Sequence, residues 1–340
     1  MMPESEQLDF TVAICTYNGA KRVPDVLECL RWQLNAQDIR WEVIVVDNNS
    51  SDETADVIRQ YQEDWPYPYP LRYAFEQKQG AGYARQKAVA IARSRWIGFL
   101  DDDNLPSMGW VYEACQFAQQ RPEVGVFGSR IRGIFASEVP ADFDRIAPFL
   151  ALTDRGSYPL LYAPEKKVLP PGAGMVIRRD AWLDNVPENP VLSGRTGKSM
   201  LTGEDLEAVL YIQRAGWEVW YNPAMRLEHK IPEHRLTQKY LVELMRGIGL
   251  SRHRTRMLSV PFWKRPLMFL AYSLNDTRKI MLHLMRHGFN AWADPVASSE
   301  MTLYCYSLVS PYYLWQKKLS QALSGYRHAV STAAASTDNL

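Results

Sequence analysis

The chain has no cysteine pair at metal or redox spacing, no long apolar run and no glycine-rich nucleotide loop of the GxGxxG or GxxxxGK[ST] kind. Each absence excludes something. Four cysteines (Cys15, Cys29, Cys115 and Cys305) scattered over 340 residues cannot form a dense disulfide framework. They read as reduced, mostly buried thiols in a cytosolic setting. The best apolar stretch, Pro266 to Leu274, is about half of the roughly 18 residues that a spanning helix needs. Without the glycine-rich loops, dinucleotide and P-loop readings lose their main support, and the lack of HExxH and GxSxG does the same for zincin and serine-hydrolase chemistry. No repeat at a 20–50-residue period is visible, which disfavours a solenoid. The polar, acidic start MMPESEQLDF is not expected to act as a secretory signal.

What is present is ordinary for a globular protein, with 46% apolar and 23% charged residues. The net charge of +1 hides an asymmetry. Residues 1–225 carry 23 Lys/Arg against 31 Asp/Glu, whereas residues 226–290 carry 13 against 4. The last third therefore suits an anionic partner.

Short apolar runs alternate with helical patterns over the first hundred residues. Phe10–Cys15, Trp41–Val46, Leu71–Phe75 and Trp96–Leu100 read as buried strands. Lys21–Gln37, Ala55–Tyr61 and Ala81–Arg93 read as the helices between them, and Pro66–Pro70 as a stiff extended link. Runs that are apolar on both faces imply a parallel sheet covered on two sides, which binds ligands where its strands end. Right-handed crossovers bring Thr16-Tyr17-Asn18, Asp47-Asn48 and Asp101-Asp102-Asp103 to one sheet edge. Further on, strands are expected at Val124–Gly128, Gly172–Ile177 and, as a short last strand, Trp217–Tyr221. A helix is expected over Thr202–Ala215, and helices broken at Pro261 and Pro266 from Leu236 onward. The tail from Ser331 is expected to fray.

Several clusters carry chemistry. Three adjacent carboxylates, Asp101, Asp102 and Asp103, repel one another unless a cation sits among them, and Mg²⁺ or Mn²⁺ shared with a diphosphate meets that need. A solvated acidic turn is the plainer alternative. Asp47 and Asn48 suit a base or ribose edge, or else an Asx turn. Gln79-Gly80-Ala81-Gly82 with Arg85 suits an anion seat at a helix start, or else an ordinary glycine turn with a surface arginine. Glu204 and Asp205 open a helix, where acidic side chains favour the macrodipole and where a fixed carboxylate can also serve as a general base. His229, followed by Arg235, is either structural or an addition to a metal or phosphate shell.

The blocks ICTYN, VVDNNSSDET, QGAGYARQKA, FLDDDN, PPGAGMVIRR and TGEDLEAVLYIQRAGWEVWYNP, in this order and spacing over about residues 10–240, resemble a family 2 glycosyltransferase. More loosely, the whole chain resembles cyanobacterial glycosyltransferases of hormogonium polysaccharide biosynthesis. The resemblance implies a GT-A fold: a Rossmann-like, mostly parallel α/β sheet flanked by helices. It implies a nucleotide-sugar-binding and catalytic domain over 1–235; the composition beyond it reads as a basic helical subdomain over 236–330 and a disordered tail over 331–340. By the same resemblance Thr16 and Tyr17 flank the donor base, with Tyr17 stacking on it. Asp47 and Asn48 meet the base edge, Asn48 standing where many relatives carry Asp. Arg85 approaches the base or phosphates. Asp101 and Asp103 match the DxD motif, with Asp102 and Asp103 meeting ribose and metal and Asp103 the stronger metal ligand. Gly172 and Gly174 shape the floor under the sugar. Asp205 matches the catalytic base, with Glu204 beside it, and His229 completes the metal or phosphate shell with Arg235 near.

Those roles imply an inverting single displacement, dependent on Mg²⁺ or Mn²⁺. The donor is a nucleotide-diphospho-sugar, of the UDP class, and the acceptor a hydroxyl of a glycan or lipid-linked acceptor. A nucleotidyltransferase also places acidic pairs on Mg²⁺, but this chain has ICTYNGAKR where the triphosphate loop belongs. A nucleic-acid binder built on the basic segment lacks a helix-turn-helix or RNP arrangement. Arg246, Arg252, Arg254, Arg256, Lys264 and Arg265 alternate with Met, Leu, Phe and Trp, as on a helix lying on an anionic leaflet. A helical subdomain with a solvated basic face is the alternative. The expected location is cytoplasmic, peripheral to the inner face of the plasma membrane.

Overall fold

The computed structural model describes residues 8–65, 70–166, 168–192, 194 and 201–337, the side chains of 166, 289, 290, 318 and 320–337 excepted. Four strands open the sheet: β1 (Leu8–Thr16), β2 (Trp41–Asp47), β3 (Leu71–Phe75) and β4 (Ser94–Asp101). They pair in parallel in the order β3-β2-β1-β4. Both faces of β2 are buried along its length. Val43 and Val45 face one core with α1 (Val23–Arg31) and α4 (Trp110–Gln120), while Ile44 and Val46 face another with α3 (Ala81–Ile91). A strand buried on both sides reads as an unbroken apolar run, as WEVIVV does.

Beyond β4 the sheet turns mixed. β8 (Met175–Arg178) runs antiparallel to β4 and to β6 (Val124–Phe135). β6 then pairs in parallel with β9 (Glu218–Ile231), against which β5 (Asn104–Pro106) and β7 (Leu160–Leu161) lie antiparallel. The architecture is the expected α/β sheet flanked by helices. Helix α2 (Thr54–Glu63) follows β2, α5 (Arg179–Asn185) follows β8 and α6 (Glu204–Arg214) precedes β9.

The last strand, the first helix and the strand expected from Gly172 differ from their sequence outlines. The final strand is fourteen residues, and its burial alternates from Ala224 to Ile231, with Met225, Leu227, His229 and Ile231 inward. The first helix ends at Arg31, well before Gln37. There the Gln33 amide donates to the Cys29 and Ser107 carbonyls and its Oε1 accepts from the Val111 amide, so the chain leaves the helix to anchor another loop. Gly172–Gly174 form a turn, and the strand begins only at Met175. The link at Pro66–Pro70 lies outside the described residues except for Pro70. All four cysteines are free; Cys115 alone is buried, while the other three are half-buried.

The C-terminal region consists of α7 (Gln238–Leu258), α8 (Arg265–His287) and α9 (Pro295–Thr337). The last of these runs on through most of the segment where fraying was expected. Ile231, Leu241, Leu244 and Met245 join Val296 and Leu303 in one apolar cluster, with Phe143 and Ile146 from the loop after β6. The helices are therefore seated on the sheet domain by a shared core. Among the described residues, no helix is long and apolar enough to cross a membrane.

Candidate active site

Two loop tips are tied together before any catalytic group is placed. The Asn18 amide donates to Ser50 Oγ, Gly19 to Thr54 Oγ1 and Ala20 to an Asp52 carboxylate oxygen, while Asn18 Oδ1 accepts from the Ser51 amide. These bonds fix the end of β1 against the end of β2. Gly19 is required for the approach: a Cβ there would sit 1.9 Å from Thr16 Oγ1 and 2.8 Å from an Asp102 oxygen. Tyr17 remains 43% exposed beside this platform, placed to offer its ring to a flat ligand.

The acidic turn after β4 is resolved by arginines. Its three side chains reach three different partners. Asp101 Oδ1 accepts from Arg85 at 3.3 Å. Both Asp102 oxygens accept from Arg22, at 2.8 and 2.9 Å, and Oδ2 also from the Thr16 hydroxyl at 2.6 Å. Asp103 Oδ2 accepts from Arg235 at 2.8 Å, and its Oδ1 lies 3.4 Å from His229 Nε2. The repulsion expected among the three carboxylates is thus relieved by the chain's own guanidinium groups, so charge balance alone does not call for a metal ion. This corrects the argument from bare repulsion.

Burial opposes the charged form of Asp103, but the hydrogen bonds and charges of His229 and Arg235 outweigh it and hold the carboxyl well below the usual range. Desolvation raises the Asp101 carboxyl above its usual range against the pull of Arg85, and the Asp103 and Asp102 charges add to the rise.

Arg85 is the hub. It is buried on α3, one turn into the helix that opens at Gly80, whose positive φ of 135° suits glycine. Its Nη1 donates to Glu204 Oε1 at 3.1 Å while Nη2 holds Asp101, so one side chain joins the acidic turn to the start of α6. Burial works against the guanidinium charge, yet Asp101, Glu204 and Asp205 together raise it above an ordinary arginine. Next to Glu204, Asp205 Oδ2 accepts from the Gly172 amide at 2.6 Å and Oδ1 from the Leu206 amide. A Cβ on Gly172 would meet Arg85 Nη2 at 2.7 Å and Asp205 Oδ2 at 2.8 Å, so only glycine lets the three come together. Gly174 turns with a positive φ of 63° and passes its carbonyl to the Ser129 hydroxyl, away from the acidic groups.

The extra length of β9 delivers the remaining pieces. His229 is not beyond the strand but within it, opposite Asn104 in β5, which places its ring beside Asp103. Arg235 follows in the next turn, 3.4 Å from His229 Nε2. The expected site residues of β4, α3, α6 and β9 therefore converge. Asp47 and Asn48 stand nearby with their side chains engaged within the protein. Asp47 accepts from the Tyr73 hydroxyl and the Ser50 amide. Asn48 donates to the Glu76 and Lys78 carbonyls and accepts from Gly80, bracing the loop that leads into α3. Arg22 was missed in the sequence, though its place in TYNGAKR, at the head of α1, was the available signal.

Residues 11–181, just over half of the chain, match the family described as Glycosyl transferase family 2. The chain belongs to this family. Relatives agree. It is 24% identical to the succinoglycan biosynthesis protein ExoM of Rhizobium meliloti (strain 1021), over 70% of this chain and 72% of that one. It is 35% identical to the SPbeta prophage-derived glycosyltransferase SunS of Bacillus subtilis (strain 168) over 31% of this chain, a stretch that spans only 22% of SunS. Among solved structures, the mannosyltransferase PcManGT from Pyrobaculum calidifontis, in complex with GDP-Man and Mn²⁺, superposes with a TM-score of 0.60 at 17% identity, over 92% of this chain and 88% of that one. This likeness shows that the glycosyltransferase has the GT-A architecture of such enzymes.

A divalent ion can be tested against the residues present. Asp101 and Asp103 supply hard oxygen donors, and His229 Nδ1 is buried without a hydrogen-bond partner. Among the described residues, no three His, Cys, Asp or Glu side chains are gathered as a complete ligand set. The donors fit an ion that completes its shell with phosphate oxygens and water, as Mg²⁺ and Mn²⁺ do.

Proposed function

We propose that the protein is an inverting glycosyltransferase that moves a sugar from a nucleotide-diphospho-sugar to a hydroxyl of a glycan or lipid-linked acceptor in polysaccharide biosynthesis. One observation carries this reading: Arg85 joins the DxD turn at Asp101 to Glu204, while Asp205, beside Glu204, lies against Gly172. In this reading donor-facing and acceptor-facing acidic groups are linked at the carboxyl edge of the sheet. Residues 1–235 form the catalytic unit in this reading, and the helices from 236 onward support it.

In the reaction, Asp205 takes the proton of the acceptor hydroxyl, which attacks the anomeric carbon on the face opposite the leaving diphosphate. A single base with no second nucleophile gives inversion. The amides of Gly172 and Leu206 aim the Asp205 carboxylate. Tyr17 stacks on the donor base and Asp47 supports the platform that receives it. Arg85 and Arg235 neutralise negative charge that grows on the diphosphate. A Mg²⁺ or Mn²⁺ ion held by Asp103, with Asp101 and His229 near, supplies Lewis-acid stabilisation of that diphosphate when bound.

ExoM, a succinoglycan biosynthesis protein, supports the assignment to polysaccharide assembly. The mannosyltransferase with GDP-Man and Mn²⁺ supports a nucleotide-sugar donor and a divalent ion, without deciding between a guanosine and the expected uridine carrier. A thermal-shift screen of nucleotide-sugars, each with and without Mn²⁺, tests the reading. One donor is expected to raise the melting temperature in an ion-dependent way. No shift with any donor in the presence of Mn²⁺ or Mg²⁺ would count against it.

A further inference from the structure

The basic arginines that alternate with apolar residues on α7 do not form an outer face. Arg254 donates to Glu207 on α6 at 2.8 Å, Arg256 holds Asp276 on α8 at 2.8 Å, Arg252 reaches Ser307 and Arg246 lies over the Tyr306 ring. They bind the helices to one another and to the sheet domain. The face left to solvent belongs to α8 instead. Leu267, Leu270, Leu274, Met281 and Met285 follow at spacings of three, four, seven and four, which puts them on one stripe of the helix, and all are exposed.

Two features say what this stripe meets. Aromatic side chains mark both ends: Phe262 and Trp263 stand exposed before α8 and Trp292 after it. Acidic groups are missing from the exposed part of α8 itself, and the nearest exposed one along the chain, Asp294, lies beyond Trp292, just before α9. Asp276, the only acidic residue between Glu243 and Asp294, is buried against Arg256, whereas Lys264, Arg278 and Arg286 are exposed. Arg278 lies within the stripe and turns its guanidinium aside to Asn275 Oδ1, as a long cation does when its stem lies on an apolar surface.

We propose that α8 with its flanking turns is a docking face for an anionic lipid surface. The helix lies in the interface with its apolar stripe immersed and its cations among the headgroups. At 23 residues it is roughly 35 Å long and presents the stripe over its whole length. A second copy of the chain would set Lys264, Arg278 and Arg286 against the same cations with no carboxylate to answer them, so charge favours the lipid. The inference is independent of the donor chemistry.

Sedimentation of the full chain with phosphatidylcholine vesicles, with and without phosphatidylglycerol, tests it. The wild-type protein is expected to co-sediment with the anionic vesicles and to be released by salt. The double variant Leu267→Glu/Leu274→Glu changes residues that are 70% and 72% exposed, so it should keep its melting temperature while its partition falls roughly tenfold or more. Lys264→Glu/Arg278→Glu/Arg286→Glu should lose the preference for anionic vesicles. Wild-type protein left in the supernatant, equal binding to neutral vesicles, or unchanged partition in the leucine double variant would each overturn the proposal. So would sedimentation velocity that shows a wild-type dimer, abolished by that variant, with no vesicle binding.

Discussion

The sheet edge and the helical region both bury arginine–carboxylate pairs, but for different ends. At the edge, Arg85, Arg22 and Arg235 each take one carboxylate of a single turn, and Asp101 keeps 40% of its side chain exposed. In the helices, Arg254 and Arg256 close on Glu207 and Asp276, each only 1% exposed. The chemistry of a pair is thus the same in both places. What separates the two places is that the edge gathers several carboxylates and guanidinium groups around one turn and leaves Asp101 open to solvent, whereas the helical carboxylates are almost fully buried.

Substitutions can sharpen that contrast. Arg85→Ala should have the largest combined effect, because it leaves Glu204 and Asp101 without their shared cation. A loss of about 3–5 kcal/mol in denaturant unfolding is expected, together with loss of donor binding in calorimetry. Arg254→Ala should cost a similar amount, about 3–5 kcal/mol, by leaving the buried Glu207 unpaired. Donor affinity of the folded fraction should stay unchanged, and a weakened donor affinity would break the distinction between the two regions. Arg22→Ala should cost only about 1 kcal/mol, since its side chain is 44% exposed and Asp102 keeps its bond from Thr16.

The sequence made the first four strands legible because they are buried on both faces and end in polar clusters. It also marked Asp101–Asp103 and Glu204-Asp205 as places of interest. The length of β9 escaped because Arg226, Glu228 and Lys230 occupy its outward positions, so the stretch looked like a polar loop, although Met225, Leu227 and His229 alternate with them. The pairing of Asp102 with Arg22 could not be read either. It joins residues 80 apart through a crossover whose geometry only the folded sheet fixes. On α7, arginines spaced among Leu and Met looked like a surface stripe, but α6 and α8 supply carboxylates that draw two of them inward.

In the proposed reaction a base at the head of α6, Asp205, acts on the acceptor beside the arginine-braced turn. That role is tested most directly by nucleoside-diphosphate release from the matching donor in wild type and Asp205→Asn, alongside calorimetric donor binding. Release is expected to slow by about 10²–10⁴-fold with donor affinity retained. Release at the wild-type rate in Asp205→Asn would contradict it.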